Sequence, residues 1–94
     1  MAQLLMSETS ELTTAVQDYA KAIYTLESRH GAASTTELAT LLEVRPASVS
    51  GMLRKLSALG LVEHERYRGV CLTERGRRVA LEVIRHHRLV ELFL

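Results

Sequence analysis

Apolar residues recur at helical spacing in the first third of the chain. Successive members of this stripe lie three or four positions apart, as expected for one buried face of an amphipathic helix. They are Val16, Tyr19, Ile23 and Leu26. Thr14 and Gln17 have the residue types and spacing of a capping box, which predicts that the helix begins with Thr14 as its cap. Gly31 follows the stripe and predicts the end of the helix.

A second and a third helix are predicted on either side of the only proline. Ser34 and Glu37 form another capping box, ahead of an apolar face that consists of Leu38, Leu41 and Leu42. Pro46 disfavours helical geometry in the residue before it, so the second helix must be short. Because proline also suits the first turn of a helix, the third helix is predicted over residues 46–58. Its predicted buried face is Val49, Met52, Leu53, Leu56 and Leu59.

The apolar pattern changes after Gly60, where the spacing no longer fits a helix. Residues 61–65 and 70–72 are typical of two short strands, and residues 66–69 form the tip of the hairpin between them. Thr73 then has the residue type of a helix cap, with Glu74 favourably placed in the first turn. The last helix has its main apolar positions at Val79, Val83, Leu89, Val90, Phe93 and Leu94.

The order of elements predicts a mainly α fold with a small β-hairpin. Two helices joined by a tight turn form a helix-turn-helix, and the hairpin that follows is a wing. We therefore expect a flexible arm over residues 1–12, a winged helix-turn-helix over residues 13–73, and a linking helix over residues 74–94. Since the sequence stops within an apolar stripe, we expect this helix to begin a dimerisation domain or to be covered by another chain.

Composition is consistent with one compact domain in a reducing compartment. A chain of 94 residues with no Trp and one Phe must build its core mostly from Leu, Val, Ile and Ala. The single cysteine, Cys71, cannot form an internal disulfide, and its apolar neighbours predict a small buried side chain. The apolar run at the N-terminus is too short for a membrane span or a secretion signal. We expect a cytoplasmic protein that has no membrane contact.

The net charge of +1 conceals an uneven distribution of charge along the chain. Residues 1–44 carry two basic and six acidic side chains, whereas residues 45–78 carry eight basic and three acidic ones. A basic segment on a nearly neutral protein indicates a local surface for a polyanion, although solvated charge is the commoner cause of such an excess.

The third helix has the composition expected of a helix that enters the major groove of DNA. Small side chains near its start permit close approach, serine hydroxyls can bond base edges or phosphates, and cations one turn on suit phosphates. The candidate contacts on this helix are Arg45, Ala47, Ser48, Ser50, Gly51, Arg54 and Lys55. At the wing tip, Arg68 is expected to add a phosphate or minor-groove contact.

These segments resemble the diphtheria-toxin-repressor family of metal-dependent regulators, most closely its manganese-responsive branch. The resemblance extends from about Gln17 to Leu94. The stretches that carry it begin with Asp18-Tyr19 and Ile23-Tyr24-Thr25-Leu26-Glu27, and continue with Val44-Arg45-Pro46-Ala47-Ser48-Val49-Ser50, Gly60-Leu61-Val62, Tyr67-Arg68-Gly69-Val70, Leu72-Thr73 and His87-Arg88-Leu89-Val90-Glu91.

The resemblance implies a repressor of metal-uptake genes that binds Mn²⁺ or Fe²⁺ and forms a homodimer through residues beyond this chain. It assigns Asp18, His87 and Glu91 as metal ligands, with Asp18 pointing to manganese. Two departures stand out: Lys21 replaces a second carboxylate, and Gly51 replaces a longer polar residue. The metal sites are expected to be incomplete in this chain, because other ligands of the family lie on a later helix.

Two other functions fit the same pattern. A winged helix can respond to a small ligand or a protein partner instead of a metal, and some winged helices make protein contacts only. An enzyme is the least favoured class, since the sequence has no Gly-rich phosphate loop and no Ser/His/Asp or Cys/His arrangement.

Overall fold

The computed structural model describes the backbone of residues 13–93 and the side chains of residues 13–86. The predicted arm, residues 1–12, lies outside this part, as do the side chains of Leu89, Val90, Phe93 and Leu94. The elements are α1 (Thr14–His30), α2 (Thr35–Leu42), α3 (Pro46–Ala58), β1 (Val62–Glu65), β2 (Gly69–Leu72) and α4 (Glu74–Phe93). Within residues 13–93, four helices and one two-stranded antiparallel hairpin in this order confirm the predicted fold class.

The start of α1 corrects one prediction. Thr13, not Thr14, is the N-cap, and its Oγ1 accepts a hydrogen bond from the Val16 N–H at 3.2 Å. Thr14 is already helical, so the predicted capping box with Gln17 is wrong. At the other end, Gly31 adopts a left-handed conformation with φ 84°, and its N–H donates to the Glu27 carbonyl at 2.8 Å. The predicted end of α1 at Gly31 is therefore confirmed.

The capping box of α2 is confirmed, but its predicted apolar face is only partly right. The Glu37 N–H donates to Ser34 Oγ at 3.1 Å, and the Ser34 N–H donates to Glu37 Oε1 at 3.3 Å. Leu38 is fully buried, whereas Leu41 is 47% exposed. On a helix of two turns, the buried direction lies between Leu38 and Ala39, and Leu41 projects to the side of it.

The turn between α2 and α3 matches the prediction drawn from Pro46. Arg45 is extended, with φ −75° and ψ 145°, and Pro46 occupies the first turn of α3. Val49, Leu53 and Leu56 are buried as predicted, while Met52 and Leu59 are half-buried and pack against the core.

The wing is a two-stranded hairpin. Ala33, which follows α1, pairs with β2 and joins the hairpin to the helical part. β1 and β2 pair antiparallel, from Val62 opposite Leu72 to Glu65 opposite Gly69. Each strand differs by one residue from the prediction, because Leu61 is outside β1 and Gly69 is inside β2. Ala33 forms a bridge with Val70, since each N–H donates to the other carbonyl, at 2.8 and 2.9 Å.

Helix α4 packs into the same core as α1. Thr73 caps it as predicted, accepting from the Gly76 N–H at 3.1 Å and donating to the Gly60 carbonyl at 2.7 Å. A Cβ at Gly76 would overlap the Leu61 carbonyl, so the first turn of α4 is in close contact with the start of the hairpin. The α4 residues in the core are Val79, Ala80 and Val83. Within the described residues, no helix is both long and apolar enough to cross a membrane.

Candidate nucleic-acid interface

Helix α3 has one face fixed in the core and the opposite face in solvent. Val49 and Leu56 are fully buried, and Leu53 is 5% exposed. Their spacing of four and three residues leaves the intervening positions on the outer side. The exposed candidates are Arg45, Ala47, Ser48, Ser50, Arg54 and Lys55, and Gly51 is half-buried. The structure therefore brings the predicted α3 candidates together on one surface.

The first two turns of α3 present a shallow surface. Ala47, Ser48 and Ser50 have short side chains, and a Cβ built at Gly51 would meet only Arg54 Nη2, at 3.9 Å. This end is also the N-terminus of a 13-residue helix, where the helix dipole favours an anion. The surface can thus approach a polyanion closely, with the side chains of Arg54 and Lys55 one turn further along.

The wing is attached to the C-terminal end of α1 by side chains as well as by the Ala33 bridge. Arg68 Nη2 donates to the His30 carbonyl oxygen at 2.8 Å, and its guanidinium lies against Gly31. The carbonyls at a helix C-terminus attract a cation, which accounts for this partner. The predicted DNA contact of Arg68 stays a prediction; its side chain is exposed, and the guanidinium has further N–H donors besides the one bonded to His30.

Glu27 connects three elements at the base of the wing, and no local sequence pattern indicates this role. Its Oε1 accepts from Arg77 Nη2 of α4 at 2.7 Å, and its Oε2 accepts from the Leu72 N–H of β2 at 3.1 Å. The Glu27 side chain is 17% exposed, so its carboxylate is partly shielded from water. A charged pair separated by 50 positions leaves no local pattern from which it could be predicted.

Cys71 has a polar partner, which modifies the expectation of a simple buried apolar side chain. It is half-buried, and its Sγ donates to the Gly31 carbonyl at 3.1 Å. Burial raises the pKa of the Cys71 thiol, and the nearby carboxylates of Glu27 and Glu65 raise it further. The protonated thiol is the form that can donate this hydrogen bond.

The predicted metal ligands are not brought together by the part of the chain whose side chains are described. Asp18 is exposed on α1, and Lys21 is exposed one turn further along the same helix. The side chains of His87 and Glu91 lie outside the described residues. Among the side chains of residues 13–86, no three His, Cys, Asp or Glu residues form a group that could hold a metal ion.

Curated relatives with similar sequences are helix-turn-helix transcriptional regulators. The regulator MntR of Bacillus subtilis is 35% identical over 82 residues, which cover 87% of this chain and 58% of MntR. MntR of Shouchella clausii is 37% identical over 82 residues, covering 87% of this chain and 57% of that protein. The chain therefore spans little more than half the length of these relatives.

Solved structures show the same fold. The manganese regulator SloR matches with a TM-score of 0.75 and 36% identity, over 88% of this chain and 39% of that one. ScaR with bound Zn²⁺ matches with a TM-score of 0.75 and 34% identity, over 84% of this chain and 36% of that one. The MepR–DNA complex of S. aureus, at 19% identity and a TM-score of 0.73, supports the fold alone.

The family profile described as "Iron dependent repressor, N-terminal DNA binding domain" matches residues 11–70. This range includes α1, α2, α3 and β1 with the turn of the wing. The resemblance that the sequence suggested, including its manganese-responsive branch, is confirmed by the relatives named MntR and by SloR. The chain belongs to the iron-dependent repressor family and carries its N-terminal DNA-binding domain.

Proposed function

We propose that this chain binds double-stranded operator DNA through α3 and is the DNA-binding part of a cytoplasmic, metal-dependent repressor. The observation that supports this proposal most strongly is the division of α3 into two faces. Val49 and Leu56 fix its inner side in the core, while the outer side carries small and cationic residues only. A helix held in this way can enter the major groove without losing its own packing.

The α3 candidates fall into groups with different proposed roles. Ser48 and Ser50 bond base edges or phosphates at the start of the helix, where Ala47 and Gly51 allow the groove wall to come close. Arg45 reaches a guanine edge or the backbone. The remaining cations, Arg54 and Lys55, pair with phosphates.

Metal dependence is proposed for the full-length protein. ScaR is described as a manganese-activated repressor and SloR as a manganese regulator. By similarity, we propose Asp18, His87 and Glu91 as ligands for Mn²⁺ or Fe²⁺, completed by residues beyond this chain. The exposed carboxylate of Asp18 suits such a hard cation, but as a single described ligand it cannot hold the cation. We likewise propose a homodimer formed by residues beyond Leu94.

Reversing the charge of Arg54 or Lys55 is expected to weaken binding to every DNA sequence. Each change removes a proposed phosphate contact, so the slope of log K against log salt concentration should fall by about one unit. Fluorescence anisotropy with a labelled duplex of about two helical turns, at several salt concentrations, measures both quantities.

Arg85→Glu is the matched control for these two variants. Arg85 is exposed on α4, where its guanidinium lies 3.6 Å from Glu82, and it is not part of the α3 surface. We expect a smaller effect from this charge reversal. Equal effects at all three positions would indicate that net charge alone, and not α3, determines DNA binding.

The chain alone is expected to bind Mn²⁺ weakly or not at all. Mn²⁺ prefers about six oxygen or nitrogen ligands, and the three proposed ligands in this chain are too few. Calorimetric titration of the purified chain with Mn²⁺ tests this expectation. A dissociation constant in the low micromolar range that is lost in Asp18→Ala would show that a complete site already exists.

A further inference from the structure

The turn between α2 and α3 holds a glutamate in a backbone conformation that favours glycine. Glu43 has φ 57° and ψ 46°, which lies in the left-handed region. Two hydrogen bonds close the turn: the Glu43 N–H donates to the Thr40 carbonyl at 3.4 Å, and the Val44 N–H donates to the Ala39 carbonyl at 3.0 Å. Helices that end with this pair of bonds usually have glycine at the left-handed position, because a Cβ is disfavoured there.

The side chain of Glu43 makes no contact that offsets this strain. It is exposed, and within residues 13–86 its carboxylate has neither a hydrogen bond nor an ion pair. Glycine would satisfy the same two backbone bonds without the strain. An uncompensated strained residue on a surface points to a role outside folding, so the chemistry of the exposed carboxylate has to supply the reason for it.

The charge of Glu43 is unusual for its surroundings. It is the only acidic residue in residues 38–62, a stretch that carries three cations. Glu43 is two positions from Arg45, so their Cα atoms lie within roughly 7 Å of each other. Arg45 is the first of the proposed DNA contacts of α3. The turn therefore places a negative charge at the edge of the surface that is proposed to approach phosphates.

We propose that Glu43 is a negative determinant of DNA affinity, an inference that rests on the binding of α3 proposed above. Its carboxylate repels phosphates beside the groove that α3 enters, so the domain binds every duplex less tightly than its cations alone would allow. A carboxylate about 7 Å from one phosphate in water lowers the affinity about threefold at low salt. This repulsion keeps a single domain from occupying the many non-specific sites of a genome.

Glu43→Gln removes the charge and retains the length of the side chain. In the anisotropy titration, this variant should bind the labelled duplex about threefold more tightly than the wild type at low salt. The gain should shrink as salt is added, because screening weakens the repulsion. A second duplex of unrelated sequence should show the same gain, since phosphates carry no sequence information.

Glu82→Gln is the matched control, because it makes the same change in net charge on α4. Glu82 lies 3.6 Å from Arg85, and an exposed ion pair of this kind contributes little to stability. Its substitution should raise DNA affinity less than Glu43→Gln does. An equal gain in both variants would overturn the inference, since net charge alone would then explain it.

Glu43→Gly separates the strain from the charge. Glycine adopts φ 57° without strain, so the variant should unfold about 4 °C or more above the wild type. It also lacks the carboxylate and should bind DNA as tightly as Glu43→Gln. An unfolding temperature at or below that of the wild type would overturn the assignment of Glu43 to a role outside folding.

The same titration distinguishes failure of this inference from failure of DNA binding by α3. If Arg54→Glu weakens binding while Glu43→Gln binds like the wild type or more weakly, the role of Glu43 is wrong and the proposed function stands. If the wild-type chain shows no salt-sensitive binding to either duplex, the proposed function fails together with the inference that depends on it.

Discussion

Val49→Asp is expected to unfold the chain. Val49 is fully buried, and it belongs to a core that all four described helices and the wing share. A carboxylate at this position would lose its hydration without gaining a partner, a cost of several kcal/mol. That cost approaches or exceeds the whole stability of a small domain, about 5–15 kcal/mol. Circular dichroism should show the loss of helix at room temperature.

Pro46→Ala is the control for Val49→Asp on the same helix. Pro46 is exposed and only presets the backbone at the first turn of α3, so its loss should cost less than about 1 kcal/mol. Thermal unfolding of both variants compares the two effects directly. If Val49→Asp melts at the wild-type temperature, the assigned buried face of α3 is wrong.

Gly69→Ala is expected to detach the wing from the helical part. Gly69 has φ 113°, and a Cβ there would overlap the carbonyl group of Ala33. Because the obstacle is backbone that also bridges Val70, the contact cannot be relieved by turning a flexible side chain. The variant should lose more than the roughly 1–2 kcal/mol that a left-handed conformation alone costs.

Gly60→Ala provides the matched comparison for Gly69→Ala. Gly60 also has a positive φ, 76°, but a Cβ there would meet nothing within 4 Å. Its substitution should therefore show the conformational cost alone. Urea unfolding of both variants measures the difference in their free energies of unfolding. Equal losses would mean that the close approach of Gly69 to Ala33 contributes nothing to stability.

Local signals made most of the fold predictable. The helices followed from apolar periodicity and from caps within four residues, as with Ser34 and Glu37 before α2. The errors arose where neighbouring residues offered equivalent choices. Thr13 and Thr14 are the same residue type, so the sequence could not decide which one caps α1. The exposure of Leu41 depends on the direction from which α1 and α3 approach α2, which no local pattern contains.

The α3 surface was predictable for the same reason as the helix itself. Once Val49, Leu53 and Leu56 are buried, helical geometry determines which residues lie opposite. The base of the wing was not predictable, because its contacts join distant parts of the chain. Arg68 meets the end of α1, and Glu27 meets both β2 and α4, only after the hairpin has packed.

Amide chemical shifts test most directly whether α3 is the surface that contacts DNA. The purified chain, labelled with nitrogen-15, is titrated at low salt with a duplex of about two helical turns. The largest changes are expected at the start of α3, at Ala47, Ser48, Ser50 and Gly51, with smaller changes at the wing tip. Changes confined to the exposed side of α1 or α4, with α3 unaffected, would contradict the account.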